Sequence, residues 1–198
     1  MMEFKGSRAL VTGASSGMGE VFARELARRG ADLVLAARSR DKLEVLASEL
    51  RESAHVSVHV EAVDLSEPGA ALALAARLGE RGLAIDVLVN NAGFGLFGPL
   101  DEADAQRIAQ AVQLNVAALT ELTCALLPGM RARDRGAIVN VASTAAFQPV
   151  PYMAVYGATK AYVLSAPALR THLRRGSTGA EEAGGIVDGR GRRSRTAC

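Results

Sequence analysis

Short apolar runs alternate along this chain with longer segments whose apolar residues recur every three or four positions. The short runs predict buried β-strands and the longer segments predict helices. The predicted strands cover residues 8–12, 32–37, 56–60, 85–90 and 137–141, and the predicted helices cover 21–30, 41–50, 68–78, 103–127 and 153–173. Almost continuously apolar strands that alternate with helices indicate a parallel sheet covered on both faces. Right-handed crossovers then favour an α/β fold with a doubly wound sheet.

Composition places the chain among ordinary globular proteins. Of its 198 residues, 49% are hydrophobic and 22% charged, and the formal net charge is only +2. Its arginines concentrate after residue 165, so the body of the chain is slightly acidic and is not expected to bind nucleic acid. There is no uninterrupted apolar run of 18 residues and no apolar N-terminal leader, so we expect no membrane association and a cytoplasmic location.

A glycine-rich segment separates the first predicted strand from the first predicted helix. Glycines at positions 13, 17 and 19 permit a tight turn and a close approach of the backbone to a pyrophosphate, which the N-terminus of the next helix would also attract. An ordinary turn is the alternative, but the position inside a strand–helix–strand unit favours a phosphate loop. The residues predicted to contact the phosphates are Gly13, Ser15, Ser16, Gly17, Met18 and Gly19.

If the loop binds a nicotinamide dinucleotide, the end of the second predicted strand indicates which one. An acidic residue there would accept a hydrogen bond from the ribose of NAD, but this chain has Ala37 followed by Arg38 and Arg40. Arginine can bind a 2′-phosphate through charge-assisted bonds, so NADP(H) is favoured over NAD(H). The alternative is that Arg38 is simply a solvated loop residue.

Four polar side chains are candidates for the reaction chemistry. Tyr156 and Lys160 are four residues apart on a predicted helix and therefore share a face, where the ammonium would favour the phenolate needed for general acid–base catalysis. Ser143 follows the fifth strand and can polarise a substrate oxygen, unless it is only a turn residue or a helix cap. Asn115 interrupts an apolar helical stripe, where a buried amide must have its hydrogen bonds met, and a purely structural amide is its alternative.

Taken in order, these motifs resemble those of the short-chain dehydrogenases/reductases. The glycine spacing is Gly-x-x-x-Gly-x-Gly, followed by Asp64-Leu65, by Asn90-Asn91-Ala92-Gly93 and by Tyr156-x-x-x-Lys160. The resemblance implies a Rossmann fold and hydride transfer between NADP(H) and a small carbonyl or alcohol substrate. It also implies that Asp64 and Leu65 contact the adenine and that Asn91, Ala92 and Gly93 border the cofactor.

The resemblance further assigns individual roles to the reacting groups. Asn115, Ser143, Tyr156 and Lys160 would form the catalytic tetrad, with Asn115 holding a water that relays protons toward Lys160. Tyr156 and Lys160 would also contact the nicotinamide end of the cofactor. The helices predicted at 103–127 and 153–173 would form the surface of a homo-oligomer.

Two further features bear on the site. Histidines 55 and 59 are expected in one alternating strand, and with His172 they lack nearby cysteine partners, so no metal site is predicted.

Apolar side chains near the motif loops indicate a substrate pocket, although packing beneath the loops is an equal alternative. These side chains are Phe94, Leu96, Phe97, Phe147, Val150 and Tyr152.

The resemblance covers about residues 7–170, and the chain then departs from the family pattern. We assign residues 1–173 to an NADP-binding catalytic domain that lacks the last family strands, which would leave the fifth strand as an exposed edge. Residues 174–198 are rich in glycine and arginine and are expected to form a disordered tail. Our hypothesis is that this tail is an out-of-frame or truncated translation of a longer ancestor, and the alternative is an arginine-rich tail that binds nucleic acid or acidic surfaces. A catalytically silent NADP(H)-binding protein, or a fragment, is the alternative function.

Overall fold

The computed structural model describes residues 4–166 and 170–171. The predicted tail at 174–198 lies outside the described residues. Six strands form one sheet in the order β3-β2-β1-β4-β5-β6. They are β1 (Arg8–Thr12), β2 (Asp32–Ala37), β3 (Val58–Ala62), β4 (Val87–Asn90), β5 (Gly136–Asn140) and β6 (Arg170–Thr171). The first five are parallel, which confirms the predicted doubly wound sheet.

Helices cover both faces of the sheet. They are α1 (Gly17–Arg28), α2 (Arg40–Ala54), α3 (Ala70–Glu80), α4 (Ala105–Ala132) and α5 (Ala154–Ser165). Alternate residues of each strand enter opposite core clusters, as the pleat of a strand requires. In β1, Val11 packs into the cluster that includes residues of α1 and α2, whereas Leu10 packs into the cluster that includes residues of α3 and α4. This two-sided burial explains why β1, β2 and β4 are almost uniformly apolar.

The end of α5 differs from the sequence prediction. The helix ends at Ser165, not at residue 173, because Ala166 adopts an extended conformation (φ −67°, ψ 136°) before Pro167, as residues before proline generally do. The backbone of Arg170–Thr171 instead pairs antiparallel with Gly136 and Ala137 of β5. The predicted bare edge is therefore wrong for the first two residues of β5.

The predictions for α2 and its surroundings also need correction. The helix begins at Arg40 with Ser39 at the N-cap position, so the predicted cap Asp41 lies within the first turn. His55 does not belong to a strand with His59, because it ends α2 in the left-handed conformation (φ 54°) and only His59 lies in β3. Within the part of the chain that the structure describes, no group of His, Cys, Asp or Glu residues could hold a metal ion.

Helix α4 contains a π-helical segment, Gln113–Ala118, between two α-helical parts. Within the described residues it is the one helix long and apolar enough, by length and composition, to cross a membrane. The sequence expectation that no segment would qualify is corrected on this point. One face of α4 packs onto the sheet through Ala118, Leu122 and Met130, which are almost completely buried.

The crossovers bring the loops that follow β1 to β5 to the carboxyl edge of the sheet. The strand order changes direction between β1 and β4, and the crevice at such a point is where ligands of doubly wound sheets bind. The glycine-rich loop, Arg38, Asp64, the segment 91–93 and Ser143 all follow the strands at this edge.

Candidate active and cofactor site

The glycine-rich loop has the geometry of an anion cradle. Gly13 and Gly17 adopt left-handed conformations (φ 67° and 58°), which side chains disfavour. Helix α1 begins at Gly17, and its N-cap residue Ser16 makes no side-chain cap to the first turn. The loop from Ser16 to Met18 is exposed at the helix N-terminus, while Ser15 is half-buried. The amides of the first helical turn are therefore available to a phosphate group.

Two of the three cradle glycines, Gly13 and Gly19, have no room for a side chain. A Cβ atom on Gly13 would lie 2.9 Å from the Cα of Ala92, and one on Gly19 would overlap the carbonyl oxygen of Gly13. Asn91 closes this arrangement, because its Nδ2 donates to the carbonyl oxygen of Thr12 at 2.9 Å. The loop, α1 and the segment after β4 thus form one close-packed unit, and this unit fits a dinucleotide pyrophosphate that approaches along the backbone.

Thr12 is a residue that the sequence reasoning missed. Its Oγ1 accepts hydrogen bonds from the amides of Asn91 and Ala92, both at 3.0 Å, and donates to the carbonyl oxygen of Val89 at 3.2 Å. One buried hydroxyl therefore joins the end of β1 to the end of β4. The available signal was a single polar residue at the end of a buried apolar strand.

Arg38 lies at the end of β2 with its side chain 72% exposed, and its Nη1 is 3.9 Å from Oδ2 of Asp64. Arg40 instead pairs with Glu44 one turn further along α2. Burial raises the pKa of Asp64, but hydrogen bonds from Ser66 and the charges of Arg38 and Arg107 outweigh this effect and lower it overall. The structure thus places an exposed guanidinium beside a charged carboxylate.

The second member of the Asp64-Leu65 pair has a different environment. Leu65 is almost completely buried and packs into the core cluster that includes residues of α3 and α4. Its side chain therefore packs into the core beneath the loop that follows β3. Its backbone lies in that loop, at the carboxyl edge of the sheet.

Lys160 is buried, and its Nζ donates to the carbonyl oxygen of Val141 at 2.7 Å. Burial lowers the pKa of this ammonium. The Nζ atom lies 5.9 Å from the centre of the Tyr156 ring. Two glycines border the pair: a Cβ on Gly93 would be 3.6 Å from Nζ of Lys160, and a Cβ on Gly95 would be 3.1 Å from the ring of Tyr156. The segment after β4 therefore lies directly against both candidate catalytic side chains.

Asn115 lies in the π-helical segment of α4 and is 1% exposed. Its Oδ1 accepts from the amide of Phe94 at 3.1 Å, and its Nδ2 donates to the carbonyl oxygen of Phe94 at 2.9 Å and to Oγ1 of Thr159 at 3.0 Å. Both the oxygen and the nitrogen of the side-chain amide thus have hydrogen-bond partners within the protein. This is the arrangement expected of a purely structural amide, the alternative given above for Asn115. π-Helical segments occur often at functional sites.

Ser143 occupies the N-cap of a 3₁₀ turn, Thr144–Ala146, and its Oγ accepts from the amide of Ala145 at 3.2 Å. This turn packs against α5, where a Cβ on Gly157 would be 3.3 Å from the carbonyl oxygen of Ala145. The structure therefore brings the Ser143 turn to the part of α5 that carries Tyr156, and it also gives Ser143 the capping bond named as its alternative.

The apolar residues predicted to form a pocket divide into two groups. Leu96, Phe97 and Tyr152 line one groove of about 490 Å³, whereas the lining does not include the others. Phe94 lies beneath the guanidinium of Arg107, 4.7 Å from it, and Phe147 is exposed. The groove also borders Val155, next to Tyr156, but no member of the predicted tetrad lines it.

A doubly wound parallel sheet with a glycine-rich turn after its first strand defines a Rossmann-type fold. Within that class, the short chain dehydrogenase family model matches residues 7–170. The chain therefore belongs to the short-chain dehydrogenase family, which confirms the resemblance. The very-long-chain 3-oxoacyl-CoA reductase of Bos taurus is 40% identical over 162 residues, which cover 80% of this chain and 51% of that protein. The chain thus spans about half the length of this curated relative.

Solved structures give the same result. The short-chain dehydrogenase from Sphingobium yanoikuyae in complex with NADPH is 42% identical, with a TM-score of 0.76 over 80% of this chain and 62% of that one. The L-sorbose reductase from Gluconobacter frateurii, complexed with NADPH and L-sorbose, is 38% identical, with a TM-score of 0.78 over 83% of this chain and 62% of that one.

Proposed function

We propose that this protein is an NADP(H)-dependent oxidoreductase that transfers a hydride between the nicotinamide and a carbonyl or alcohol, with Tyr156 as general acid or base. The observation that carries the proposal is the buried Lys160 ammonium beside the Tyr156 ring, at the sheet edge that also carries the glycine-rich cradle. The NADPH in the two related structures supports the same cofactor class here.

The residues at the sheet edge fit a dinucleotide. The cradle of Gly13, Gly17 and Gly19 would hold the pyrophosphate, and Ser15, Ser16 and Met18 would border it. Asp64 and Leu65 would contact the adenosine, and Asn91, Ala92 and Gly93 would lie along the cofactor toward Tyr156 and Lys160. Bound NADPH supplies the hydride.

In the reduction direction, Tyr156 would donate its phenolic proton to the carbonyl oxygen as that oxygen gains negative charge. The Lys160 ammonium would stabilise the resulting phenolate, and the Ser143 hydroxyl would donate a hydrogen bond to the same substrate oxygen. In the oxidation direction, the phenolate would accept the alcohol proton.

Arg38 is the feature that favours NADP(H) over NAD(H). Its guanidinium is exposed at the end of β2, where Ala37 leaves no carboxylate to bind a ribose hydroxyl. A 2′-phosphate there would accept charge-assisted bonds and would compete with the loose contact to Asp64.

The proposal extends to assembly and location. Helices α4 and α5 expose apolar side chains, namely Val112, Tyr162 and Leu164, which support a homo-oligomer formed through these helices. We propose a cytoplasmic protein without membrane or nucleic-acid partners. One face of α4 is occupied by the sheet, which argues against a membrane-spanning role for this helix, and the slightly acidic body of the chain argues against nucleic-acid binding. Light scattering of the purified protein and fractionation of cells test these two points.

NADPH oxidation by the purified protein, measured against a panel of ketones, tests the function. We expect cofactor consumption that Tyr156→Phe abolishes while NADPH still binds, since the ring remains and only the proton donor is lost. Binding of NADPH by the wild-type protein without consumption would instead identify a silent NADP(H)-binding protein.

A further inference from the structure

Thr159 lies between the two candidate catalytic residues of α5 and is only 4% exposed. Its hydroxyl donates to the carbonyl oxygen of Tyr156 at 2.8 Å and accepts from Nδ2 of Asn115 at 3.0 Å. A hydroxyl has one proton to donate, and here that proton is committed to the Tyr156 carbonyl. The Thr159 hydroxyl therefore uses its one donor position and accepts one bond inside the protein.

The contacts of Thr159 continue around the catalytic pair. Asn115 binds both the amide and the carbonyl group of Phe94, and Phe94 lies between the two glycines that border the pair. Gly93 faces the Lys160 amine and Gly95 faces the Tyr156 ring. These contacts form a closed network that links α5 to α4, α4 to the segment after β4, and that segment back to α5. We call this network the circuit.

We propose that Thr159 is a positioning residue, whose hydroxyl fixes Asn115 and through it the segment 93–95 against Tyr156 and Lys160. Buried polar networks of this kind favour one arrangement of their members when every bond is made. If the hydroxyl is removed, one Asn115 proton loses its acceptor and Asn115 loses its bond to α5, so its two bonds to Phe94 hold the segment 93–95 less firmly in place against the tyrosine ring. The inference rests on the proposed function, since positioning has a catalytic consequence only if Tyr156 transfers a proton.

The chain offers a matched control between the same two helices. Thr120 of α4 and Tyr162 of α5 share a hydrogen bond of 2.7 Å between Oγ1 and the phenolic oxygen. This bond joins α4 to α5 as the Asn115–Thr159 bond does, but the hydrogen bonds of its two partners go to Val116 and to each other and not to the segment 93–95. Thr120→Val therefore weakens the contact between the helices without opening the circuit.

The experiment compares Thr159→Val, Thr159→Ser and Thr120→Val with the wild-type protein in two measurements. The first is hydrogen exchange of the Phe94 amide, which does not depend on turnover. We expect exchange about tenfold faster in Thr159→Val only, because the loss of one bond to Asn115 loosens its hold on Phe94. Thr159→Ser retains the hydroxyl and should keep the exchange rate of the wild-type protein.

The second measurement is the steady-state rate of NADPH oxidation with the best ketone of the panel. A displacement of about 1 Å at a catalytic group can reduce the rate about 100-fold, so we expect Thr159→Val to lower kcat by about 10- to 100-fold with little change in KM. Thr159→Ser should restore most of kcat, and Thr120→Val should leave it close to that of the wild-type protein.

The outcomes separate this inference from the proposed function. If no ketone is reduced by the wild-type protein but the exchange pattern holds, the proposed function fails and the structural circuit stands. Equal behaviour of Thr159→Val and Thr120→Val in either measurement would overturn the inference. If Thr159→Val does not fold, Thr159→Ala repeats the test. If neither variant folds while Thr159→Ser does, the hydroxyl is required for folding and the positioning role is overturned.

Discussion

Replacing Gly19 by alanine tests the close packing of the glycine-rich cradle. The added Cβ would overlap the carbonyl oxygen of Gly13 and lie 2.6 Å from Nδ2 of Asn91. Overpacking of this kind costs about 1–3 kcal/mol. Displacement of Asn91 would also break its bond to the carbonyl oxygen of Thr12, at a cost of about 1 kcal/mol. We therefore expect Gly19→Ala to lower the free energy of unfolding by about 2–4 kcal/mol.

The matched control is Gly79→Ala, because Gly79 lies in helix α3 and a Cβ there would have no atom within 4 Å. Alanine is a better helix former than glycine, so this change should raise stability by about 0.5–1 kcal/mol. Urea unfolding followed by circular dichroism measures both variants, and an NADPH titration should show binding lost only in Gly19→Ala. An unfolding free energy for Gly19→Ala within about 0.5 kcal/mol of the wild-type value would refute this account of the cradle.

Two further predictions concern single charges. Arg38→Ala should weaken NADPH binding by about 10- to 100-fold, because the bonds it removes are made to a charged phosphate, and it should leave NADH binding unchanged. The control Arg40→Ala should bind NADPH as the wild-type protein does. Fluorescence titration measures these affinities, and equal losses of NADPH and NADH binding in Arg38→Ala would contradict the prediction. Burial lowers the pKa of Lys160, so the folded protein binds fewer protons than the unfolded chain between that lowered value and about 10.4. The unfolding free energy of the wild-type protein should therefore rise relative to Lys160→Met as pH increases through this window, and a constant difference in urea unfolding between pH 8 and 10.5 would contradict the assignment.

The centre of the sheet was predictable because β1, β2 and β4 are buried on both faces and so carry a continuous apolar signal. The end of α5 was not, although Pro167 gave a local signal, because a helical pattern of apolar residues continues past it in the sequence. His55 was assigned to a strand because its left-handed conformation at the end of α2 leaves no mark on the alternation of the neighbouring valines.

The candidate site divides in the same way. The glycines, in one short segment around the start of α1, and the Tyr156–Lys160 pair, in α5, each have a fixed local spacing, so they could be predicted from the sequence. The roles of Thr12 and Thr159 depend on contacts between segments far apart in the chain. A single threonine belongs to no spacing pattern from which such a role could be predicted. The π-helical segment around Asn115 was likewise unseen, because one extra residue in a turn does not interrupt an apolar stripe.

The most direct test of the account follows the hydrogen that moves. NADPH deuterated at C4 of the nicotinamide, in separate preparations for each face of the ring, is incubated with the protein and a ketone that it consumes, and the alcohol is analysed by mass spectrometry. Hydride transfer at this site predicts one deuterium on the carbinol carbon with one of the two preparations, and none when Tyr156 is replaced by phenylalanine. Alcohol without deuterium from either preparation, or NADPH bound with no alcohol formed from any ketone, would contradict hydride transfer at this site.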